Sequence, residues 1–423
     1  MPPTTSVDTK LRVAIIGAGP AGLGAAIEFG KLPFVDWILY EQATAIREIG
    51  AGISVQPTMA FIRKDYYQTA DHHAVQHRNG RTGELLVSLG QGSETHSSLA
   101  LCENNSYAFI TDIPPQYLHA RTQRSKLQDA LFREIDESRL RLKSRLIKIE
   151  QQPSGKLLLK FEDGFTDLVD LLVGADGVRS VVRSFAFPSH KIGYTGKTAY
   201  RTTVTPTDIA TVPGVPDAVT FWHGSHSWLY TCALGANKYE VTAMTRDLAE
   251  QSEKEKVSWG QDATTPQMAD NFKDFSPLVK DILALAKDVK QYALFAGPRL
   301  ESIVARGSVA LVGDASHRAG AGFALEDVYA LTKSIAWARE QGRSLKDGLE
   351  LLDNFGETAA YLETREFAFD EAADILVERN LSERHTWIYE YDIQQVFKDA
   401  IEEEKSKHFG IENSDFQGGL SRL

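Results

Sequence analysis

The residues with the clearest chemical potential in this chain are glycines, acids and arginines at fixed spacings. Gly17, Gly19 and Gly22 form a GxGxxG pattern between an apolar, branched run (13–16) and a helix-prone run (23–29). Each glycine answers a physical need of a dinucleotide site. Gly17 permits a tight strand-to-helix turn, Gly19 lets backbone approach a pyrophosphate, and Gly22 lets helix and strand pack closely. A helix starting there offers unpaired N–H groups and a positive dipole end to phosphates. Glu41 ends a second β-prone run (37–40), where a carboxylate suits a ribose hydroxyl and disfavours a 2′-phosphate. On these residues alone NAD and FAD both remain open.

Two later stretches repeat the pattern of a short buried run ending in glycine and acid. Asp176-Gly177 follows the run 171–173, and Gly313-Asp314 follows 309–312. Gly320 and Gly322 then open a helical stretch expected over 324–340. A carboxylate at the end of a buried strand is costly unless it is paired or meets ligand hydroxyls. Plainer roles compete at every position. Asp314 suits a helix cap, Asp176 a turn, Arg124 a surface ion pair and Arg47 a solvated side chain.

The elements that must position these residues alternate in kind. Strand–helix units of dinucleotide type occur at the start, in the middle and after residue 300, with β-rich inserts between them. Residues 117–135 read as a helix with Leu127, Leu131 and Ile135 on one face and Arg121 and Arg124 near its start. Cations are unfavourable at a helix N-terminus, which singles these arginines out. Strands are expected at 53–56, 75–77, 85–88, 140–150, 156–161, 197–204, 222–233 and 240–245, and helices at 178–185, 250–290 and beyond 351; 57–71 has helical ingredients but little room. The fold class is α/β: a Rossmann-like dinucleotide-binding domain assembled from discontinuous segments (1–74, 121–188 and 296–375). A β-sheet substrate domain (75–120 and 189–295) and a C-terminal helical segment (376–423) complete it.

Composition narrows the function. The chain is 43% hydrophobic and 24% charged with a net charge of −11, the profile of a globular protein large enough for two or three modules. The acidic balance argues against nucleic acid or an anionic membrane as the main partner. The two cysteines, Cys102 and Cys232, form no CxxC, so neither a disulfide framework nor a zinc site is indicated, and no other metal-ligand cluster stands out. There is no apolar run of membrane-spanning length. The first ten residues lack the apolar centre of a signal peptide, and a cytoplasmic location is expected.

Taken as a set, GAGPAG with Glu41, the Arg124 segment, VGADGVRS (173–180) and ALVGDASH (310–317) resemble the flavoprotein aromatic hydroxylases of the para-hydroxybenzoate hydroxylase fold, most of all fungal salicylate-hydroxylase-like monooxygenases. The resemblance spans about residues 10–395 and includes Trp387–Asp392. It implies FAD as cofactor. Gly17, Gly19 and Gly22 would hold its pyrophosphate and Glu41 its ribose. Arg47, Gly52 and Arg124 would be further contacts, Asp176 and Gly177 would meet both FAD and the nicotinamide, Asp314 would bind the ribityl chain, and Gly320 and Gly322 would turn beside the flavin ring. Arg201, in Ala199-Tyr200-Arg201, would face a phenolic substrate, and Tyr230 would help position it. Trp222, His223 and Trp228 are candidates for an aromatic pocket, although core packing suits them as well. The implied reaction is hydroxylation of a small phenolic or salicylate-like aromatic by O2 through a flavin hydroperoxide. NADPH or NADH would be co-substrate, and the chain a monomer or homodimer.

The sequence departs from the family pattern at two loops. His317 is followed only by Arg318 and Ala319 before Gly320, where relatives carry a longer, proline-containing loop over the flavin. A second shortening follows Gln56-Pro57. Without that cover, water reaches the reactive flavin and reduction is uncoupled from hydroxylation. An FAD-binding protein with lost or uncoupled activity, or another flavin oxidoreductase, is therefore the alternative expectation.

Overall fold

The computed structural model describes residues 10–46, 52–55, 71–89, 98–101, 107–111, 119–235, 237–246, 260–316 and 321–359. In chain order, the elements that build the site are β1 (Leu11–Ile16), α1 (Pro20–Gly30), β2 (Val35–Tyr40), β3 (Gly52–Val55), β4 (Val75–Asn79), β5 (His119–Gln123), α2 (Arg124–Phe132), β6 (Leu171–Gly174), α3 (Val181–Ala186), β7 (Gly193–Val204), β8 (Val219–His223), β9 (Ser227–Ala233), β10 (Tyr239–Arg246), β11 (Lys290–Ala296), β12 (Val309–Leu311) and α4 (Ala321–Glu340).

The first sheet is parallel through Leu140–Arg141, β2, β1, β6 and β12, and ends in Val304–Ala305, antiparallel to β12. Strands far apart in sequence thus lie side by side, with Ile16 opposite Tyr40 and Gly174, and Gly174 opposite Leu311. Val13, Ala14 and Ile15 are fully buried because both faces are covered. That is why β1 reads as an unbroken apolar run rather than an alternating one. Val13 and Ile15 pack with α1, α2 and α4 through Leu23, Phe29, Leu127 and Val328. Ala14 and Ile16 pack on the opposite side with Leu159, Phe161 and Val169 of a three-stranded antiparallel sheet.

The second sheet has ten strands and is built from the β-rich inserts. From one edge it runs Gln261–Asp262, β11, β7, β10, β9, β8, β4, Leu85–Leu89, Tyr107–Thr111 and Ser98–Leu101. One face buries Trp222, Leu229, Val241 and Ala243 against Met268 of the helix Thr265–Ala269, Phe272 of the 3-10 turn Asp270–Phe272 and Val279 of the helix Pro277–Ala284. Alternation along each strand sends the intervening side chains to the other face.

Several expected elements are corrected. The helix expected over 117–135 begins only at Arg124, and His119–Gln123 is the strand β5. Antiparallel pairing to β3, with Gly52 opposite Gln123 and Ser54 opposite Arg121, outcompetes local helix propensity there. Arg121 is therefore a strand residue, not one near a helix start. The run 140–150 splits in two. Leu140–Arg141 joins β2, Lys143 turns the chain at φ 55°, and Leu146–Gln151 enters the small antiparallel sheet. The run 222–233 is two strands, β8 and β9, paired as Phe221 with Tyr230. Among the described residues of 250–290, the helices are short, and Lys290 heads a strand. The helix at 178–185 starts at Val181, where Ser180 caps it. Most of the segment 57–71, and the segment 376–423, fall outside the described residues.

Candidate active site

The cofactor end is built on the turn between β1 and α1. Gly17 has φ +99°, and a Cβ on it would lie 2.5 Å from the Ala175 carbonyl oxygen. A Cβ on Gly22 would lie 1.8 Å from the Gly17 carbonyl oxygen. Both glycines are thus dictated by the protein's own packing. Gly19 differs: its φ of −72° suits any residue, and nothing lies within 4 Å of where its Cβ would be. Its lack of a side chain keeps the backbone open from outside, as close approach of a pyrophosphate demands. Pro20 at the first helical position has no N–H, which leaves the next amides of α1 for a phosphate. Glu41 sits beside this turn, its carboxylate accepting from Ala18 N–H at 2.7 Å and Ala43 N–H at 2.8 Å. Open glycine backbone, helix terminus and adjacent carboxylate fit the adenosine diphosphate half of FAD.

Arg124 opens α2, half-buried, and Gln128 ties that helix to the turn by donating to the Ala18 carbonyl at 3.1 Å. Gly177 has φ +77°, the left-handed conformation glycine tolerates. The Asp176 carboxylate is engaged inside the protein, accepting from the Ser180 hydroxyl and from the Val181 and Val182 amides at 2.8 and 3.2 Å. It caps α3. Burial raises its pKa, against the lowering effect of these donors. Arg183, buried in α3, donates to the carbonyls of Ala315 at 2.9 Å and Asp314 at 3.4 Å, which locks the Asp176 and Asp314 segments together. Asp314 sits in a one-turn 3-10 helix, and its side chain is exposed. The desolvation cost expected for it is therefore absent, although the strand before it is buried. Gly52 packs against a buried ion pair, where a Cβ would lie 2.1 Å from Glu240 Oε2 and 2.4 Å from Arg121 Nη2. Arg47, His317 and Gly320 fall outside the described residues, and Gly322 lies in the first turn of α4.

A second candidate region is the face of the ten-stranded sheet opposite the helices Thr265–Ala269 and Pro277–Ala284. Strand register places His77, Phe221, Tyr230, Thr242, Arg201 and Lys290 in one transverse row across β4, β8, β9, β10, β7 and β11. Residues paired in register project to the same face. Arg201 and Tyr230 therefore share that face with one strand between them, a backbone separation of about 10 Å. Arg201 Nε and the Tyr230 hydroxyl are both buried with no hydrogen-bond partner. Burial pushes the Tyr230 hydroxyl well above the usual phenol range, so it stays protonated. The Phe221 ring meets the Tyr230 ring edge-on at 4.9 Å. The Arg201 guanidinium lies 5.8 Å from the Tyr292 ring centre. Trp222 points the other way, fully buried in the core, with Nε1 donating to Thr231 at 3.3 Å.

Other residues join this face, among them Arg121, marked in the sequence for a helix start, and His223, marked for an aromatic pocket. Arg121 of β5 reaches across, pairs with Glu240 of β10 and lies 4.9 Å over the Tyr230 ring. The Thr242 hydroxyl donates to Glu240 Oε1 at 3.1 Å. Burial pushes the adjacent Cys232 thiol up to about 12. His77 Nδ1 and His223 Nε2 are 2.9 Å apart, both rings stacked near Phe221, and burial lowers His223 to about 4. The available signal was Glu240, a lone acid inside the β run Tyr239–Arg246. A buried acid demands a cation, and Arg121 supplies it.

The pattern that defines the FAD binding domain family matches residues 10–355. A salicylate hydroxylase of Pseudomonas putida is 27% identical over 425 residues, covering 90% of this chain and 92% of that protein. The FAD-dependent monooxygenase pigN of Monascus ruber is 30% identical over 349 residues, 78% of each chain. Among solved structures, a salicylate hydroxylase substrate complex superposes with a TM-score of 0.73 at 20% identity, covering 93% of this chain and 98% of that one.

Proposed function

Because the chain belongs to the FAD binding domain family of flavoprotein monooxygenases, we propose that it hydroxylates a small phenolic or salicylate-like aromatic, with NADH or NADPH as reductant. The balance is one aromatic C–H, O2, NAD(P)H and a proton giving the phenol, water and NAD(P)+. Bound FAD supplies the electron transfer and oxygen activation, and the protein supplies binding, orientation and exclusion of water. The cofactor unit of the proposal comprises 1–74, 121–188 and 296–375, with Gly17, Gly19, Gly22, Glu41 and Arg124 on its adenosine and linker side. Asp314 and the Gly320–Gly322 turn are assigned to the flavin side. The substrate unit comprises 75–120 and 189–295.

The observation that carries the substrate reading is the pair of unsatisfied polar atoms on one row of one face, Arg201 Nε and the Tyr230 hydroxyl. A buried polar group without a partner costs about 1–3 kcal/mol, which a ligand with two suitably placed oxygens relieves at both ends. Arg201 stabilises a phenolate or carboxylate through charge-assisted hydrogen bonds. Tyr230, held protonated, donates to a second oxygen. Phe221 offers an aromatic edge between Tyr230 and the histidine pair. The test is a screen of phenols and aryl carboxylates with FAD-loaded protein, following nicotinamide oxidation and a product mass gain of one oxygen. Oxidation that no phenol stimulates would remove the hydroxylase reading.

A second reading rests on the short His317–Gly320 span. An imperfectly covered flavin would consume nicotinamide and release hydrogen peroxide instead of product. One product formed per nicotinamide consumed would exclude it.

A further inference from the structure

Gln123 closes β5 and occupies the N-cap position of α2, yet its side chain makes no capping hydrogen bond. Glutamine is a poor cap, since short Ser, Thr, Asp and Asn side chains are the ones that satisfy first-turn amides. The first turn of α2 contains no acid and begins instead with Arg124. A cation at that end opposes the helix dipole, so the terminus is left electropositive and uncapped. The side chain of Gln123 is nevertheless not in water. The residue is 7% exposed, and its amide nitrogen Nε2 is buried without a hydrogen-bond partner.

Its surroundings define what it can meet. Gln123 lies opposite Gly52 in β3 and on the same side of β5 as Arg121, which reaches Glu240 in the substrate sheet. The helix it precedes is tied to the glycine turn through Gln128 and Ala18. Gln123 is thus placed between the pyrophosphate turn and the substrate wall, next to Arg124. A dinucleotide held at the turn and extended towards the Arg201–Tyr230 face would meet the end of this strand.

We infer that Gln123 is a further cofactor-binding residue, whose side-chain amide hydrogen bonds to an oxygen of bound FAD. The inference rests on the FAD reading and adds to it a specific residue. It explains why an uncapped helix start and a buried, unsatisfied amide coexist at one position: the missing partner belongs to the cofactor.

The test separates cofactor binding from folding. Gln123→Leu removes the amide at similar size, and Gln123→Ser removes its reach while installing a good N-cap. Apo-protein of wild type and both variants is titrated with FAD, followed by quenching of flavin fluorescence, and melted without FAD by circular dichroism. Both variants are expected to bind FAD about tenfold more weakly or worse, the loss of one hydrogen bond to ligand. The serine variant's apo melting temperature should be unchanged or higher, because its helix is now capped. Equal FAD affinity in wild type and the serine variant would overturn the inference and leave the FAD reading standing. Failure of folded wild-type protein to bind FAD would remove both.

Discussion

Arg121→Met should be among the most damaging single substitutions in the molecule, and the reason is electrostatic. Arg121 and Glu240 are 5% and 3% exposed and form an ion pair between β5 and β10. Removing the arginine leaves a buried carboxylate that still accepts from the Thr242 hydroxyl but has lost its counter-charge. Stranding one partner of a buried pair costs about 3–5 kcal/mol, whereas replacing both with apolar groups of similar size is often neutral. The double variant Arg121→Met, Glu240→Leu should therefore recover most of the stability lost by the single one, with Thr242 paying a smaller penalty for its lost acceptor. Urea unfolding of apo-protein, with single and double variants in one cycle, measures this coupling. Activity should behave differently. The guanidinium lies 4.9 Å over the Tyr230 ring, and an apolar pair cannot supply that cation. The double variant is expected to be stable but to bind substrate poorly, with KM raised more than kcat lowered. A single-variant cost below about 1 kcal/mol would refute the buried-charge argument. Wild-type KM in the double variant would refute the positioning of Tyr230.

Three further outcomes are expected. Gly19→Ala should leave the apo fold intact yet weaken FAD binding, while Gly22→Ala should destabilise the apo fold itself; thermal melts and FAD titration of both variants separate the two effects, and equal apo melts would contradict the packing assigned to Gly22. Arg201→Met should weaken binding of a carboxylated or phenolic substrate about 10- to 100-fold, the loss of a charge-assisted hydrogen bond, with apo stability unchanged or higher because a buried unsatisfied donor is removed; equilibrium binding with oxygen excluded reads this directly. For pH, burial holds His223 at about 4 in the fold, below its ordinary value. The unfolded chain binds that proton first as pH falls, so its contribution to stability is full above about pH 6.5 and is lost down to about pH 4. Urea midpoints measured across that range should fall less steeply in His223→Gln, and an unchanged slope would show that His223 is not the group responsible.

How much was legible depended on the range of the interactions. β1, α1 and β2 were readable because an unbroken apolar run, a glycine turn and a helix-prone run are local signals of local structure. β5 was misread because its partners, Gly52–Val55 and Asp71–His73, lie well away in sequence and the strand forms only on meeting them. Asp314 was expected to be a buried carboxylate from the strand before it, but the 3-10 turn at Gly313 carries its side chain out to solvent. Asp176 displays the same Asp-Gly signature whether it meets a ligand or caps a helix, and the fold puts Ser180, Val181 and Val182 on its oxygens.

By itself the sequence determined the family, the α/β class and the reason for each glycine of the first turn, since those follow from contiguous residue types and short spacings. Only the tertiary structure decided that Arg201 and Tyr230 stand in one row of one face, because register between β7, β10 and β9 is a relation among strands that no single strand encodes. It likewise decided that Arg121 crosses to Glu240 over a gap of 119 residues, a pairing set by the burial of two opposite charges rather than by either residue's neighbours in the chain.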